Sequence, residues 1–411
     1  MVKCGLLGRT LGHSYSPAIH AQLGDYDYVL FEKEPEELED FLLHGDFTGI
    51  NVTIPYKKAV VPYCTKLSLA AQVLGSVNTI VRLPGGVLFG DNTDYDGFSS
   101  LVQLSGVDVR DKKALVLGSG GASVTVCTLL RNRGAQVVVI SRSGEDNYEN
   151  LHRHADAEIV VNTTPLGMYP HNGESPVDLQ LFPDCRAVFD LIYNPARTAL
   201  MLQAERLGIP AYGGLHMLVA QAESASRLFT GNLLPDKSES SGRIAAIRDD
   251  LAGKMQNIAL IGMPGCGKST VAEALGAALG REVCDSDALI VELAGKSIPE
   301  IFAADGEDAF RRLETEAIAQ LSKRSGIIIA TGGGCVTREE NYPLLHQNST
   351  IIWLQRDLSA LPTDGRPLSQ SGKLEAMYSL RRPLYQRFAD RTIDNNGPLE
   401  DTLAAIKEVL G

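Results

Sequence analysis

Three things are scarce in this 411-residue chain, and each scarcity excludes something. The seven cysteines, Cys4, Cys64, Cys127, Cys185, Cys266, Cys284 and Cys335, are odd in number and contain no C-x-x-C pair. Neither a disulfide framework nor a zinc site is expected from them. No apolar run is long enough to span a bilayer, and the apolar start, Met1 to Gly8, is too short for a secretory signal. Positive charge is also short: Lys and Arg total 38 against 50 Asp and Glu, a formal net charge of -12. That field disfavours nucleic acid and anionic membranes as partners. The chain reads as a cytoplasmic protein acting on small molecules, and any basic residue that holds an anion must be placed for it. Its oligomeric state is not set by the sequence.

What is abundant is glycine, 40 residues, against an ordinary globular background of 44% hydrophobic and 21% charged residues. The length suggests two or three domains. Short apolar runs at 114–117, 137–140, 158–161, 187–191, 258–261, 327–330 and 350–354 alternate with amphipathic stretches. Val271, Leu275 and Leu279 recur at helical spacing. Strand and helix in alternation predict parallel sheets covered on both faces, an α/β protein. The polar, breaker-rich segment 234–242 marks a boundary, and a helical stretch over 243–254 leads to a junction near residue 254.

Immediately after the apolar run at 258–261 comes Gly262-x-x-x-x-Gly267-Lys268-Ser269, a complete Walker A pattern between a strand and a helix. Backbone N–H groups at such a helix start take up phosphate oxygens. Gly262, Gly265, Cys266, Gly267 and Thr270 form the cradle, Lys268 is placed for the β- and γ-phosphates, and Ser269 for Mg²⁺. ATP and Mg²⁺ are therefore expected. Asp285-Ser-Asp287 sets two carboxylates two residues apart at a strand end, one suited to the metal and one to an acceptor hydroxyl. Arg311 lies on an amphipathic helix, and Gly332, Gly333 and Gly334 follow the run at 327–330, where the backbone can approach a ligand closely.

With these motifs, residues 256–411 resemble shikimate kinase, a small P-loop phosphotransferase. The resemblance rests on the Walker A loop, D-S-D, I-F-x-x-x-G-E-x-x-F-R-x-x-E, T-G-G-G, a lid-like Arg366-Pro-Leu and Arg381-x-Pro-x-Tyr385. It implies that Asp287 takes the proton of the acceptor hydroxyl. Arg311 and Arg381 would grip the acceptor's carboxylate, glycines 332–334 would wall its site, and Arg366 would reach the transferring phosphate. Asp285 joins Ser269 toward the metal. The segment 360–365 is shorter and less basic than the family's lid.

The first 250 residues carry a second glycine turn, Gly118-Ser119-Gly120-Gly121-Ala122-Ser123, after an apolar run. A strict dinucleotide fingerprint would have glycine at 123, and an NAD site would place Asp or Glu about twenty residues on. Instead Ser141-Arg142-Ser143 stands there, which suits a 2′-phosphate and favours NADP. Upstream lie four polar clusters around Ser14 and Ser16, Asn51 to Lys57, Ser76 to Thr79, and Asn92 to Asp94. Together they predict a hydrophilic pocket fit for a small polyhydroxy acid, with a lysine and an aspartate as a proton-transfer pair.

Residues 1 to about 250 resemble shikimate dehydrogenase through S-x-S, N-V-T-x-P-x-K, V-N-T, N-T-D, G-x-G-G-A, N-T-T-P-x-G-M, D-x-x-Y-x-P and G-L-x-M-L-x-x-Q. The resemblance implies Lys57 and Asp94 as the catalytic pair. Ser14, Ser16, Thr53, Asn78, Asp94, Tyr193 and Gln221 would surround the substrate. Gly118, Ser119, Gly120, Gly121, Ala122, Ser141, Arg142, Thr163 and Gly214 would hold NADP(H). The stretch between Arg142 and Asn162 is too short for the family's extra helix and strand, so a trimmed coenzyme lobe is expected.

The two resemblances reinforce each other, since one predicted product is the other's substrate. The expected protein is bifunctional: a two-lobed dehydrogenase at 1–253, with a substrate lobe at about 1–97 plus 215–253 and an NADP lobe at about 98–214, then a kinase at 254–411. It would reduce 3-dehydroshikimate with NADPH and phosphorylate shikimate with ATP. Two alternatives stand beside this reading. The first half could oxidise quinate or a related acid with NAD while the kinase uses another polyol, or one half could bind its ligand without turnover.

Overall fold

The computed structural model describes residues 3–12, 14–232, 237–361 and 373–410. Of the positions singled out above, His13 and the lid-like 366–368, Arg366 included, lie outside them. By its internal contacts the chain forms two compact units: Met1–Leu166, Ser175–Tyr193 and Gln203–Asp250 in the first, and Gly167–Glu174, Asn194–Leu202 and Leu251–Gly411 in the second. Two short segments that the sequence places in the coenzyme lobe thus group with the second unit.

The first unit holds two sheets. One is built from β1 (Lys3–Gly8), β2 (Asp27–Glu32), β3 (Gly49–Val52), β4 (Lys66–Leu67), β5 (Thr79–Arg82) and β6 (Leu88–Asp91), in the order β2-β1-β3-β5-β6-β4. It is mixed: β1 pairs in parallel with β2 and β3, whereas β5 runs antiparallel to β3 and β6. The short chain between β5 and β6, turning at Gly85 and Gly86 with positive φ, allows only a hairpin there. The second sheet contains β7 (Lys113–Leu117), β8 (Gln136–Ile140), β9 (Ile159–Asn162), β10 (Ala187–Asp190) and β11 (Ala211–Gly213), all parallel, in the order β11-β10-β9-β7-β8. Between β8 and β9 only a single-turn helix, Leu151–His154, is present, so the coenzyme sheet is short, as its sequence spacing requires.

The second unit has one parallel sheet of β12 (Asn257–Ile261), β13 (Val283–Asp285), β14 (Ile328–Ala330), β15 (Ser349–Gln355) and β16 (Arg391–Asp394), ordered β13-β14-β12-β15-β16. Its core strand β12 is buried along its whole length, which is why it reads as an unbroken apolar run rather than an alternating one. In both parallel sheets the chain leaves a central strand, β7 or β12, to opposite sides. Ligands of open α/β sheets collect beyond the strand ends at such switch points. Among the described residues no helix is long and apolar enough to cross a membrane.

Candidate active sites

In the first unit a cavity of about 490 Å³ opens at the strand ends of the mixed sheet. Ser14, Ser16, Thr53, Lys57, Asn78, Asp94, Tyr193 and Gln221 all line it. The polar clusters scattered over two hundred residues of sequence therefore meet at one place. Lys57 Nζ donates to Asp94 Oδ2 at 2.6 Å, with the two side chains 32% and 18% exposed. Asp94 opens the helix Asp94–Ser105, where the partial positive charge of the helix start favours a carboxylate. Asn78 sets that start: its Oδ1 accepts from Thr93 N at 2.7 Å and from the Thr79 hydroxyl at 3.0 Å. Thr93 Oγ1 in turn reaches Gln221 Oε1 at 3.4 Å. On the far wall, burial and the neighbouring Tyr15 push the Tyr193 hydroxyl's pKa upward, keeping it a donor.

Another lining residue, Asn51, belongs to the polar cluster expected from sequence to line the pocket, but the sequence assigns it no role of its own. It accepts from Tyr28 OH at 2.8 Å and donates to Thr79 Oγ1 at 3.2 Å. Its signal was available: an asparagine in the middle of a fully buried strand needs a reason.

The coenzyme-side residues gather at the carboxyl ends of β7, β8 and β9. Gly118 has φ +104°, a conformation that favours glycine, and its N–H bonds Ile140 O at 2.8 Å. Gly120 precedes, and Gly121 and Ala122 open, the helix Gly121–Asn132, so N–H groups of this first turn are directed at whatever lies beyond β7. Thr163 is drawn in by its hydroxyl, which donates to Leu117 O at 2.6 Å. Ser141 N–H is taken by Asp146 O at 3.2 Å, folding the shortened loop back on β8, while Arg142 and Tyr148 interact electrostatically. Ala122 and Gly214 also line the Lys57 cavity, which makes it continuous with the coenzyme turn. The buried Asn162 and Asp190 of the signature motifs bond each other at 3.0 Å and tie β9 to β10, so they hold the frame rather than a ligand.

In the second unit a cavity of about 860 Å³ is lined by Gly265, Gly267, Lys268, Ser269, Thr270, Asp285, Asp287, Arg311, Gly332, Gly333, Gly334 and Arg381. The loop after β12 turns on Gly262, Gly265 and Gly267, all with positive φ, into the helix Lys268–Leu279. Lys268 Nζ donates to the carbonyls of Gly262 (2.9 Å) and Met263 (3.1 Å), and Cys266 O accepts from Asn395 Nδ2 at 2.6 Å. Ser269 Oγ lies 3.1 Å from Asp285 Oδ2, and Asp285 Oδ1 caps the next helix by accepting from Asp287 N at 2.8 Å. Among the described residues no group of three or more His, Cys, Asp or Glu could hold a metal alone. A hydroxyl and one carboxylate beside a phosphate cradle fit Mg²⁺, which takes few protein ligands and fills its shell with phosphate and water.

The three glycines have a steric explanation that sequence alone did not supply. A Cβ on Gly334 would lie 2.1 Å from Arg311 Nη1, and one on Gly332 would lie 2.8 Å from both Asp287 Oδ1 and Glu314 Oε1. The backbone closes on residues that the resemblance assigns to the acceptor, Asp287 and Arg311. Gly333 O accepts from Arg381 Nη1 at 3.1 Å and from Tyr385 OH at 2.6 Å. Glu314, unassigned from sequence, is fully enclosed and pairs with Arg311 at 2.7 Å.

Comparison with known proteins agrees with this arrangement. The family model described as shikimate dehydrogenase substrate binding domain matches residues 6–80. The shikimate dehydrogenase (NADP(+)) of Caldanaerobacter subterraneus subsp. tengcongensis is 35% identical over 255 residues, 55% of this chain and 91% of that protein. The chain belongs to the shikimate dehydrogenase family. That of Methanopyrus kandleri is 36% identical over 264 residues, covering 91% of the relative. Among solved structures, shikimate 5-dehydrogenase from Thermus thermophilus in complex with NADP(H) and shikimate is similar with a TM-score of 0.54 and 33% identity, over 60% of this chain and 100% of that one. A quinate dehydrogenase from Corynebacterium glutamicum in complex with NAD is similar with a TM-score of 0.53 and 29% identity, over 60% of this chain and 99% of that one. The shikimate kinase family model matches residues 264–410. A shikimate dehydrogenase and a shikimate kinase domain are therefore fused in one chain.

Proposed function

We propose that the chain reduces 3-dehydroshikimate to shikimate with NADPH and then phosphorylates shikimate at its 3-hydroxyl with ATP. The dehydrogenase would occupy 1–253, its substrate lobe about 1–97 plus 215–253 and its NADP lobe about 98–214, and the kinase 254–411. The observation that carries this reading is the pairing of Lys57 with Asp94 inside a polar, substrate-sized cavity, on a chain whose second unit builds a P-loop cavity with its own acceptor residues.

In the dehydrogenase cavity Lys57 gives a proton to the carbonyl oxygen as it becomes the alcohol, and Asp94 orients the ammonium by accepting its hydrogen bond. Ser14, Ser16 and Tyr193 supply hydroxyls suited to a carboxylate, and Thr53, Asn78 and Gln221 supply partners for ring hydroxyls. Gly118 to Ala122, Ser141, Arg142, Thr163 and Gly214 would hold NADP(H), which would supply the hydride of the reduction. The Gly118 turn and the donor-rich helix start fit its pyrophosphate, and Arg142 its 2′-phosphate.

In the kinase cavity Arg311 and Arg381 clamp the acceptor carboxylate against Gly332 to Gly334. Asp287 accepts the proton of the attacking hydroxyl, whose oxygen bonds the γ-phosphorus while the bridge to ADP breaks. Lys268 and the loop from Gly262 to Thr270 would hold the phosphates, and Ser269 and Asp285 would hold Mg²⁺, which would offset the phosphates' charge. Arg366 is proposed from sequence alone.

A coupled assay tests the whole: purified protein given 3-dehydroshikimate, NADPH and ATP is expected to accumulate shikimate 3-phosphate, and its absence would refute the bifunctional reading. The similarity to an NAD-bound quinate dehydrogenase favours a second reading for the first unit. Comparing quinate with shikimate and NAD with NADP in the oxidative direction separates the two, with a preference for quinate and NAD overturning the first.

A further inference from the structure

Among the described residues that line the kinase cavity, one basic side chain is accounted for by neither the Walker A pattern nor the acceptor residues. Arg356 follows β15 directly and lines the cavity together with Gly265, Gly267, Lys268 and Ser269. Its Nη1 lies 3.8 Å from where a Cβ on Gly267 would stand, so the guanidinium is against the last glycine before Lys268. Its backbone is tied down: the next residue's N–H, that of Asp357, donates to Asn396 Oδ1 at 2.9 Å. Yet its buried Nε has no hydrogen-bond partner. Other arginines of this unit are engaged: Arg311 with Glu314, Arg324 with Glu282, Arg381 with Gly333 O. In a chain of net charge -12, a guanidinium held beside a phosphate cradle with an unmet buried donor calls for an anion.

We propose that Arg356 is a nucleotide-binding residue, donating its N–H groups to the phosphate chain of ATP from the β15 side of the loop. The fork of a guanidinium matches phosphate oxygens, and its place against Gly267 puts it at the part of the loop that wraps phosphate rather than at a base. The proposal rests on the reading of this cavity as the ATP site.

The test uses the full-length chain and its R356A and R356K variants. The single tryptophan, Trp353, is buried, and its Cδ1 lies 3.5 Å from the Cβ position of Gly262, so its emission can report nucleotide binding. R356A is expected to raise KM for ATP and weaken ADP binding by about tenfold or more, the loss of a charge-assisted contact. AMP binding and KM for shikimate should change less than about threefold, and R356K should recover part of the loss. Should R356A fail to fold, R356K and R356Q carry the same comparison. A wild-type chain that phosphorylates shikimate, with variants whose ATP and ADP affinities match it, overturns the assignment of Arg356 alone. So does a loss as large for AMP as for ADP. A wild type that binds no ATP overturns the reading of the cavity and this proposal with it.

Discussion

Arg311 Nη1 and Glu314 Oε2 stand 2.7 Å apart on one helix face, one side chain 8% exposed and the other fully buried. Burial pushes the Glu314 carboxyl above its usual range despite the guanidinium beside it. For Arg311 burial works the other way, but the Glu314 and Glu307 carboxylates outweigh it and hold the guanidinium's pKa above normal. Glu314 therefore positions the arginine that the kinase reading assigns to the acceptor carboxylate.

Removing the carboxylate should leave the buried Arg311 guanidinium with only the exposed Glu307 carboxylate, 3.2 Å away, as a charged partner. Glu314→Ala is expected to destabilise the kinase unit by about 3–5 kcal/mol, the usual outcome when one partner of a buried pair is lost. Urea unfolding followed by Trp353 emission measures it. Glu314→Gln, which keeps the shape, should fold better and raise KM for shikimate more than KM for ATP. Equal rises in both would count against a positioning role.

Gly334→Ala should act on the same pair from the other side. The added methyl would sit 2.1 Å from Arg311 Nη1, a distance the guanidinium must relieve by moving. The expected result is a rise of about tenfold or more in KM for shikimate with little change for ATP, since a displaced bidentate contact is worth about 1.5–3 kcal/mol. Steady-state kinetics with each substrate varied in turn would show it. Gly332→Ala, facing Asp287 and Glu314 instead, should lower kcat as well.

The sequence was most readable where backbone geometry and chemistry demand the same residue. Gly262, Gly267 and Lys268 must be what they are for a phosphate cradle, and β7, β9, β10 and β12 are buried almost throughout and so appear as plain apolar runs. The mixed first sheet was harder to read, because β2 is largely exposed and β4 has only two residues, leaving little periodicity. The surroundings of Asn51 and Arg356 were not legible, since what faces them comes from other strands and loops, whereas Glu314 faces Arg311 three residues earlier on the same helix, a spacing already present in the R-x-x-E of the motif. The triple glycine was legible as a close approach, but the approaching groups turned out to be Arg311, Asp287 and Pro264.

The two chemistries should separate by mutation. Lys57→Ala is expected to lower dehydrogenase kcat by about 10²–10⁴, the span ascribed to positioned acid–base groups, and leave phosphorylation of added shikimate unchanged. Lys268→Ala should do the reverse. Assaying both reactions on each purified variant makes each half the folding control for the other. A Lys57 variant with a normal dehydrogenase rate would remove that residue from the mechanism.

Acid should weaken the first unit through His20. The imidazole is 1% exposed, stacked on Tyr28 with centroids 4.0 Å apart, and its Nδ1 lies 2.7 Å from Tyr26 OH. Burial pulls its pKa from 6.5 to about 3. Since the folded value is depressed, the unfolded chain binds the proton first. The neutral histidine's contribution is complete above pH 6.5 and is lost as pH falls from there toward 3, by about 1.4 kcal/mol per pH unit at most. His20→Phe keeps an aromatic ring in the stack and cannot take up a proton. It leaves Tyr26 OH without that partner, so the variant should be about 1 kcal/mol less stable at pH 8. Between pH 6 and 4 its stability should fall less steeply than that of the wild type. Urea unfolding of the first unit, followed by tyrosine emission and by loss of dehydrogenase activity at each pH, gives the two slopes. The carboxylates, which titrate alike in both proteins, cancel in the comparison. Equal slopes would mean that His20 is protonated in the folded state and that the stacked ring is open to water.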